Sequence, residues 1–531
     1  MRNGPALVAL LLLASTGCVR CGRTAAVPPE RLLPADVSFV LVVPRLRVAQ
    51  EQAAAVALTA VTFPAAADLS EAVAAAKSQL GLDPLDPRAV SSAGIDPERG
   101  LAAARTADGA LVLVLPARDA SRLEDTVARL ARDRLGASRR EVARERGLDV
   151  TTFRAEGEPE ALSLLVTGGN ILLAAGPGGP ARLAALAQLA EPASLQRSAP
   201  YARACAALGV EPPVMLFAPP GSPALARWPV LREGGGLGLS GGSTRLAAAA
   251  VLLLGPERRE AWRGALASPS GAAAELPAMP SDAFAVGRLA GDPAPLLRRA
   301  LAAAPSVQGA LVRAGLDAER DLLACLAPGA VAALALAPTF DVAAVSRGAE
   351  GAVSSDPFRL VLLTAALAVA DETQARAALD RLARTAPALG LVATPRAGAD
   401  RPGWRFARGT LAIDVAVDGR RLLLAGGPGR LEAALAGGAG RYAAPTADAR
   451  AALAGDATGL VIDLGQLVAS FRALPATAYG SGPNAFVMRS LAERVIDPAA
   501  RLVAASARAS MKPEGARIDL LVEARRPEVA R

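Results

Sequence analysis

The chain has 531 residues, 52% of them hydrophobic but only 3% aromatic, and it contains no histidine. Its 58 Lys and Arg against 50 Asp and Glu leave a net charge of +8, spread thinly over that length. The length permits two full cores. The missing imidazole excludes Ser-His-Asp and Cys-His catalysis and any His-ligated zinc, and the scarce aromatics argue against a base-stacking platform or a carbohydrate-binding face.

At the N-terminus, Met1-Arg2-Asn3 precedes the apolar run Ala6 to Ala14. That run is too short to span a bilayer and suits a signal-peptide core. It ends in Ser15-Thr16-Gly17-Cys18, which resembles the lipobox of bacterial lipoproteins, although Ser15 stands where that family usually has Leu. The resemblance implies removal of residues 1–17, lipidation of Cys18 and a tether over residues 18–30. With Val19 rather than Asp after the Cys, the family's sorting rule implies an outer-membrane lipoprotein facing the periplasm. The alternative is ordinary secretion as a soluble periplasmic or secreted protein, with cleavage near Thr24-Ala25-Ala26. Cys18-x-x-Cys21 also has redox or metal spacing, but no second pair accompanies it, so the lipobox reading is preferred.

The rest of the chain carries an internal echo. Leu33-Pro34-Ala35-Asp36 before Val37-Ser38-Phe39-Val40 returns as Met279-Pro280-Ser281-Asp282 before Ala283-Phe284-Ala285-Val286. Ala93-Gly94-Ile95-Asp96-Pro97-Glu98-Arg99 returns as Ala314-Gly315-Leu316-Asp317-Ala318-Glu319-Arg320. Leu123, Val127 and Leu130 after Asp119 match Ala375, Leu379 and Leu382 after Asp371. Ile171 to Pro177 matches Leu422 to Pro428. The order is collinear and the period far exceeds a solenoid repeat. The expectation is two tandem copies, residues 31–255 and 277–531, joined by a linker over 256–276.

Within each copy the spacing predicts elements. Asp119 and Asp371 precede helical patterns and read as N-caps. Leu111 to Leu115 is an unbroken apolar run, suited to a strand covered on both faces. Leu162 to Val166, Gly168-Gly169-Asn170 and Ile171 to Ala175 read as a hairpin, as do Leu411 to Val417, Asp418-Gly419 and Leu422 to Ala425. Helical segments then lead to strands Val214 to Ala218 and Gly459 to Leu464, and a closing hairpin ends each copy. This is an α+β class, with a mixed, largely antiparallel sheet packed by helices; a doubly wound parallel sheet is the runner-up.

The motifs mostly read as structure. Arg118 to Arg146 is basic but interleaved with acids, so it reads as a solvated helix with i,i+4 ion pairs, and nucleic acid is not expected as a partner. Gly238-Leu239-Ser240-Gly241-Gly242 matches a nucleophile elbow, and Gly236-x-Gly238-x-x-Gly241 a dinucleotide fingerprint; both lack their context, and the run reads as a flexible turn. Asp96 and Asp317 read as helix caps, with Glu98 and Glu319 at the positive end of the helix dipole. The uncharged stretch Leu322 to Phe340 reads as a helix end, a turn and a strand from Ala330 to Ala337, not a membrane span. Cys205 and Cys325 read as small buried hydrophobes in Ala-rich helices. Gly176, Gly178, Gly427 and Gly429, in Gly-Pro-Gly turns between strand and helix, are the repeated candidates for contact with a small ligand.

The chain resembles the envelope lipoproteins of GC-rich Gram-negative bacteria in which a domain of unknown function opens with a Leu-Pro-Ala-Asp strand. That resemblance brings no catalytic residues with it. The expectation is a non-enzymatic cell-envelope lipoprotein, held to the membrane by its N-terminal lipid and acting as a two-lobed binding or assembly scaffold for another envelope protein. The alternative is a carrier or sensor of lipid or another small apolar ligand, which an apolar cavity would favour. A carboxylate- or metal-dependent enzyme ranks third. No cofactor and no metal are expected.

Overall fold

A computed structural model of the chain describes residues 26–57, 64–156, 161–209, 211–226, 232–266, 279–342, 357–396, 403–436, 441–454, 458–480 and 483–526. Cys18, Cys21 and the signal-peptide segment lie outside the described residues. Contacts divide the chain into two units, residues 1–255 with 512–519, and residues 256–511 with 520–531.

The first unit contains β1 (Phe39–Val43), β2 (Leu101–Arg105), β3 (Leu111–Pro116), β4 (Ala137–Glu145), β5 (Leu148–Ala155), β6 (Ala161–Thr167), β7 (Asn170–Ala175), β8 (Val214–Ala218), β9 (Gly235–Gly241) and β10 (Arg245–Leu253). They pair in the order β4-β5-β6-β7-β3-β2-β1-β8-β9-β10. β3, in mid-sheet, is buried on both faces, as its unbroken apolar run predicts. On one face Val40, Val42, Val112, Val114 and Leu172 meet Leu183 and Leu186 of the helix Gly179–Ala187 and Tyr201 of the helix Ala199–Leu208. On the other, Leu113, Leu115, Leu164, Ile171 and Leu173 meet Leu123, Val127 and Ala131 of the helix Ala120–Leu135. Helices thus cover both faces of an antiparallel sheet, an α+β arrangement.

The second unit contains β11 (Ala285–Leu289), β12 (Leu326–Leu336), β13 (Val361–Val369), β14 (Val392–Pro395), β15 (Gly403–Arg408), β16 (Leu411–Asp418), β17 (Arg421–Gly426), β18 (Thr458–Asp463) and β19 (Leu502–Lys512) up to Met511, while β20 (Gly515–Ala524) is divided between the units after Asp519. Their order is β14-β15-β16-β17-β13-β12-β11-β18-β19, with β20 beside β19. This is the first unit's path, strand for strand. The helix Glu372–Thr385 lies where Ala120–Leu135 lies in the first unit, each opened by an aspartate that accepts from a backbone amide three residues on. Arg122 N donates to Asp119 at 3.1 Å and Gln374 N to Asp371 at 3.0 Å.

Some expectations need correction. Every pairing with a defined register is antiparallel, so neither a mixed nor a doubly wound parallel sheet describes the units; short hairpins can join only antiparallel neighbours. The Gly-rich run is not a turn but strand β9, and Ser240 is an exposed residue on it. Its glycines serve close approach: a Cβ at Gly238 would sit 2.9 Å from Pro212, and one at Gly241 2.5 Å from Val56. The basic stretch is half helix and half strand. Gly136, at φ 63, stops the helix in a left-handed C-cap, and the exposed charged edge strand β4 follows.

Asp96 caps no helix. It accepts from Glu98 N at 3.1 Å within a tight turn, whereas Asp317 does cap a short wide helical turn, Ala318–Leu323. The expected linker begins with the helix Pro256–Leu266, and residues 267–276 lie outside the described residues. Cys325 lies just after that wide turn, not inside an Ala-rich helix. β12 bulges between Leu326 and Ala330, around Pro328-Gly329. Among the described residues no helix is long and apolar enough to cross a membrane. The expected tether is packed at its far end: Val27 N donates to Gly168 O at 3.2 Å, Asn170 Nδ2 donates to Val27 O at 2.9 Å, and Pro29 is buried.

Candidate functional site: an apolar cavity in the first unit

The helix Ala120–Leu135 carries apolar residues on one stripe because Leu123, Val127 and Leu130 recur at helical spacing. Its N-terminus is drawn tightly onto the repeated Ala-Gly-Ile-Asp block. Gly94 sits at φ +91, and a Cβ there would lie 2.6 Å from both Asp119 O and Leu123 N. Farther along the helix, Leu130 packs against Ala76 and Leu80 of a second helix, Pro64–Leu80.

The space beneath it is a cavity of about 220 Å³. Leu80, Ile95, Leu115, Leu123, Val127, Ala131 and Leu173 form its buried wall. Thr126 also faces it, but its hydroxyl is satisfied by Arg122 O at 2.9 Å. Polar and exposed groups gather at one end, where Gln79, Arg134 and the 52%-exposed Leu135 line the space. Arg134 Nη2 donates to Ser78 O at 2.6 Å and ties the ends of the two helices together. A wall of this kind holds apolar matter and offers water few partners. It carries no carboxylate or thiol, so nothing in it could relay a proton or attack a substrate.

The residues singled out from sequence fall elsewhere. Gly176, Gly178, Gly427 and Gly429 have φ of 94, 74, 107 and 69°, so each takes a left-handed turn that glycine adopts without strain. The two turns belong to different units and neither lines this cavity. Arg99, from the repeated block, clamps the β6–β7 turn instead, donating to Gly169 O at 2.7 Å and Asn170 Oδ1 at 2.8 Å; burial lowers its pKa. Buried Tyr201 and half-buried Glu30 and Cys205 form a cluster with Tyr201 Oη 3.4 Å from Glu30, and desolvation raises the pKa of all three. A thiol so shifted stays protonated and unreactive. Cys205 and Cys325 are both free. Among the described residues no group of three His, Cys, Asp or Glu could hold a metal ion.

Arg134 was not among the sequence candidates. The signal for it was present: residues 123, 127, 130 and 134 share one helix stripe, and an arginine there breaks the apolar pattern.

Comparison with family models and with curated proteins finds no match. Among solved structures the chain is similar to one titled crystal form III of TP0453, at 10% identity over 47% of this chain and 91% of that one, with a TM-score of 0.24. A likeness that slight supports no statement about function.

Proposed function

We propose that the chain is an envelope lipoprotein made of two tandem copies of one α+β domain, and that its first copy holds a small apolar molecule as carrier or sensor. The matching strand orders and the paired Asp119 and Asp371 caps support the duplication. The lipobox-like Ser15-Thr16-Gly17-Cys18 supports a lipid anchor at Cys18, with the outer membrane as its destination. The cavity under Ala120–Leu135 is the observation that carries the ligand reading, because its wall is apolar and the polar groups of Gln79 and Arg134 also line it.

Native mass spectrometry tests it, on the chain exported to a periplasm with residues 1–21 replaced by a cleavable secretory leader, a form that carries no acyl anchor. The reading expects a copurifying apolar molecule that is lost in Leu123→Trp, which fills the cavity. A bare mass in every preparation would sink it. The scaffold reading would then stand. It draws on Phe486, Val487 and Leu491, exposed together on the helix Pro483–Ala499 of the second unit, as a surface for another envelope protein.

A further inference from the structure

The open end of the cavity carries a group that its apolar wall does not require. Arg134 extends the stripe of Leu123, Val127 and Leu130, so its stem lies along the apolar face while its head reaches solvent. The guanidinium donates to Ser78 O and forms no ion pair with any carboxylate among the described residues. By contrast, nearby Lys77 is held by Asp83 at 3.0 Å and Arg140 by Glu124 at 2.5 Å. Most of the five guanidinium donors of Arg134 therefore remain for an incoming anion, in the fork that matches a carboxylate or phosphate. The Gln79 side chain lines the same end. In the second unit the corresponding helix position is Ala386, fully buried and followed by the tight turn Ala386–Leu389. The rim cation thus belongs to the unit that has this cavity.

We propose that the cavity takes a single aliphatic chain with an anionic head, the chain lying under Ala120–Leu135 and the head on Arg134. This rests on the apolar-ligand reading above and names its ligand class; a free fatty acid and a lysophospholipid share that chemistry.

The test is titration of the full mature chain with decanoic acid, decanol, decyltrimethylammonium and a ten-carbon lysophosphatidylglycerol at neutral pH. Decanoic acid is expected to bind about tenfold tighter than decanol, the scale of one charge-assisted contact, with the cation weakest. Arg134→Gln should reduce decanoic acid to the level that the same variant shows for decanol. A lysophospholipid tighter than decanoic acid would identify the phosphate as the preferred head; the reverse order would identify the free acid. Equal binding of acid and alcohol by the unaltered chain would overturn the head assignment and leave the apolar reading intact. No binding of any probe, or binding that survives Leu123→Trp in a chain of unchanged circular dichroism, would overturn both.

Discussion

In the first unit, Thr152 on β5 faces Ser163 on β6, which faces Ala174 on β7; in the second, Arg405 on β15 faces Asp414 on β16, which faces Ala425 on β17. The strand places match, but the chemistry does not. The first is a buried hydroxyl pair at 3.4 Å. The second is a two-pronged ion pair, at 2.8 and 2.9 Å, whose carboxylate is only 4% exposed. The following helix repeats the contrast. Gly179 must lack a Cβ because one would collide with Ser163, whereas Arg430, just after the matching Gly-Pro-Gly, is buried and grips Asp282 at 2.7 and 2.6 Å.

Core volume explains how both fit one sheet path. The second unit lines this face with Ala333, Ala366, Ala416, Ala434 and Ala449, while the first uses Val112, Val114, Leu165, Leu183 and Leu186. Small residues leave room for an arginine; large ones fill the space without it. The side chains thus differ between the units as sets, and the lesson extends to the opposite face, where the first unit has a cavity rimmed by Arg134.

Substitutions can break this contrast. Arg405→Ala leaves Asp414 buried without its partner and should destabilise the second unit by about 3 kcal/mol, the low end for such a loss because the guanidinium is half exposed. Thr152→Val at the matching place should cost the first unit about 1 kcal/mol. Urea unfolding of each variant checks this, and equal losses would erase the distinction. Gly179→Ala should cost about 2 kcal/mol through the collision with Ser163, with much of that recovered on adding Ser163→Gly; no recovery would place the strain elsewhere. Asp119→Ala and Asp371→Ala should each cost about 1 kcal/mol, since the capping geometry is shared, and unequal losses would mean that one helix relies on another contact.

The smallest expected effect is on acid stability. Thr106 and Arg182 hold the Asp108 carboxyl down to about 2. A lowered folded value adds stability above the unfolded pKa, which is lost as pH falls through the folded one. The loss should run from about pH 4 to about pH 2, and it should be slight because the carboxylate is exposed. Thermal melts across that range should show a shallower decline in Asp108→Asn; a steeper one would reverse the sign.

Much of the fold was legible because it rests on local rules. Gly168-Gly169 and Gly419 supply the positive φ that their hairpins need, and Asp119 and Asp371 cap as their spacing implies. β9 was hidden because glycine that accommodates a neighbour looks the same in sequence as glycine that makes a turn. β4 was hidden because an exposed edge strand is written in charge, as a solvated helix is. The repeated Gly-Pro-Gly turns lie away from the cavity, and their glycines answer a backbone demand. The cavity is lined from segments far apart in sequence, residues 79–80, 95, 115, 123–135, 162 and 173, which no local pattern encodes; Arg134 on an apolar stripe was the one local sign of it.

Amide hydrogen exchange of the mature chain with and without decanoic acid puts the two units to the most direct test. The account predicts slowed exchange in Ala120–Leu135 and Pro64–Leu80, with none in the helix Glu372–Thr385. Protection confined to the second unit's helix, or shared evenly between both, would contradict it.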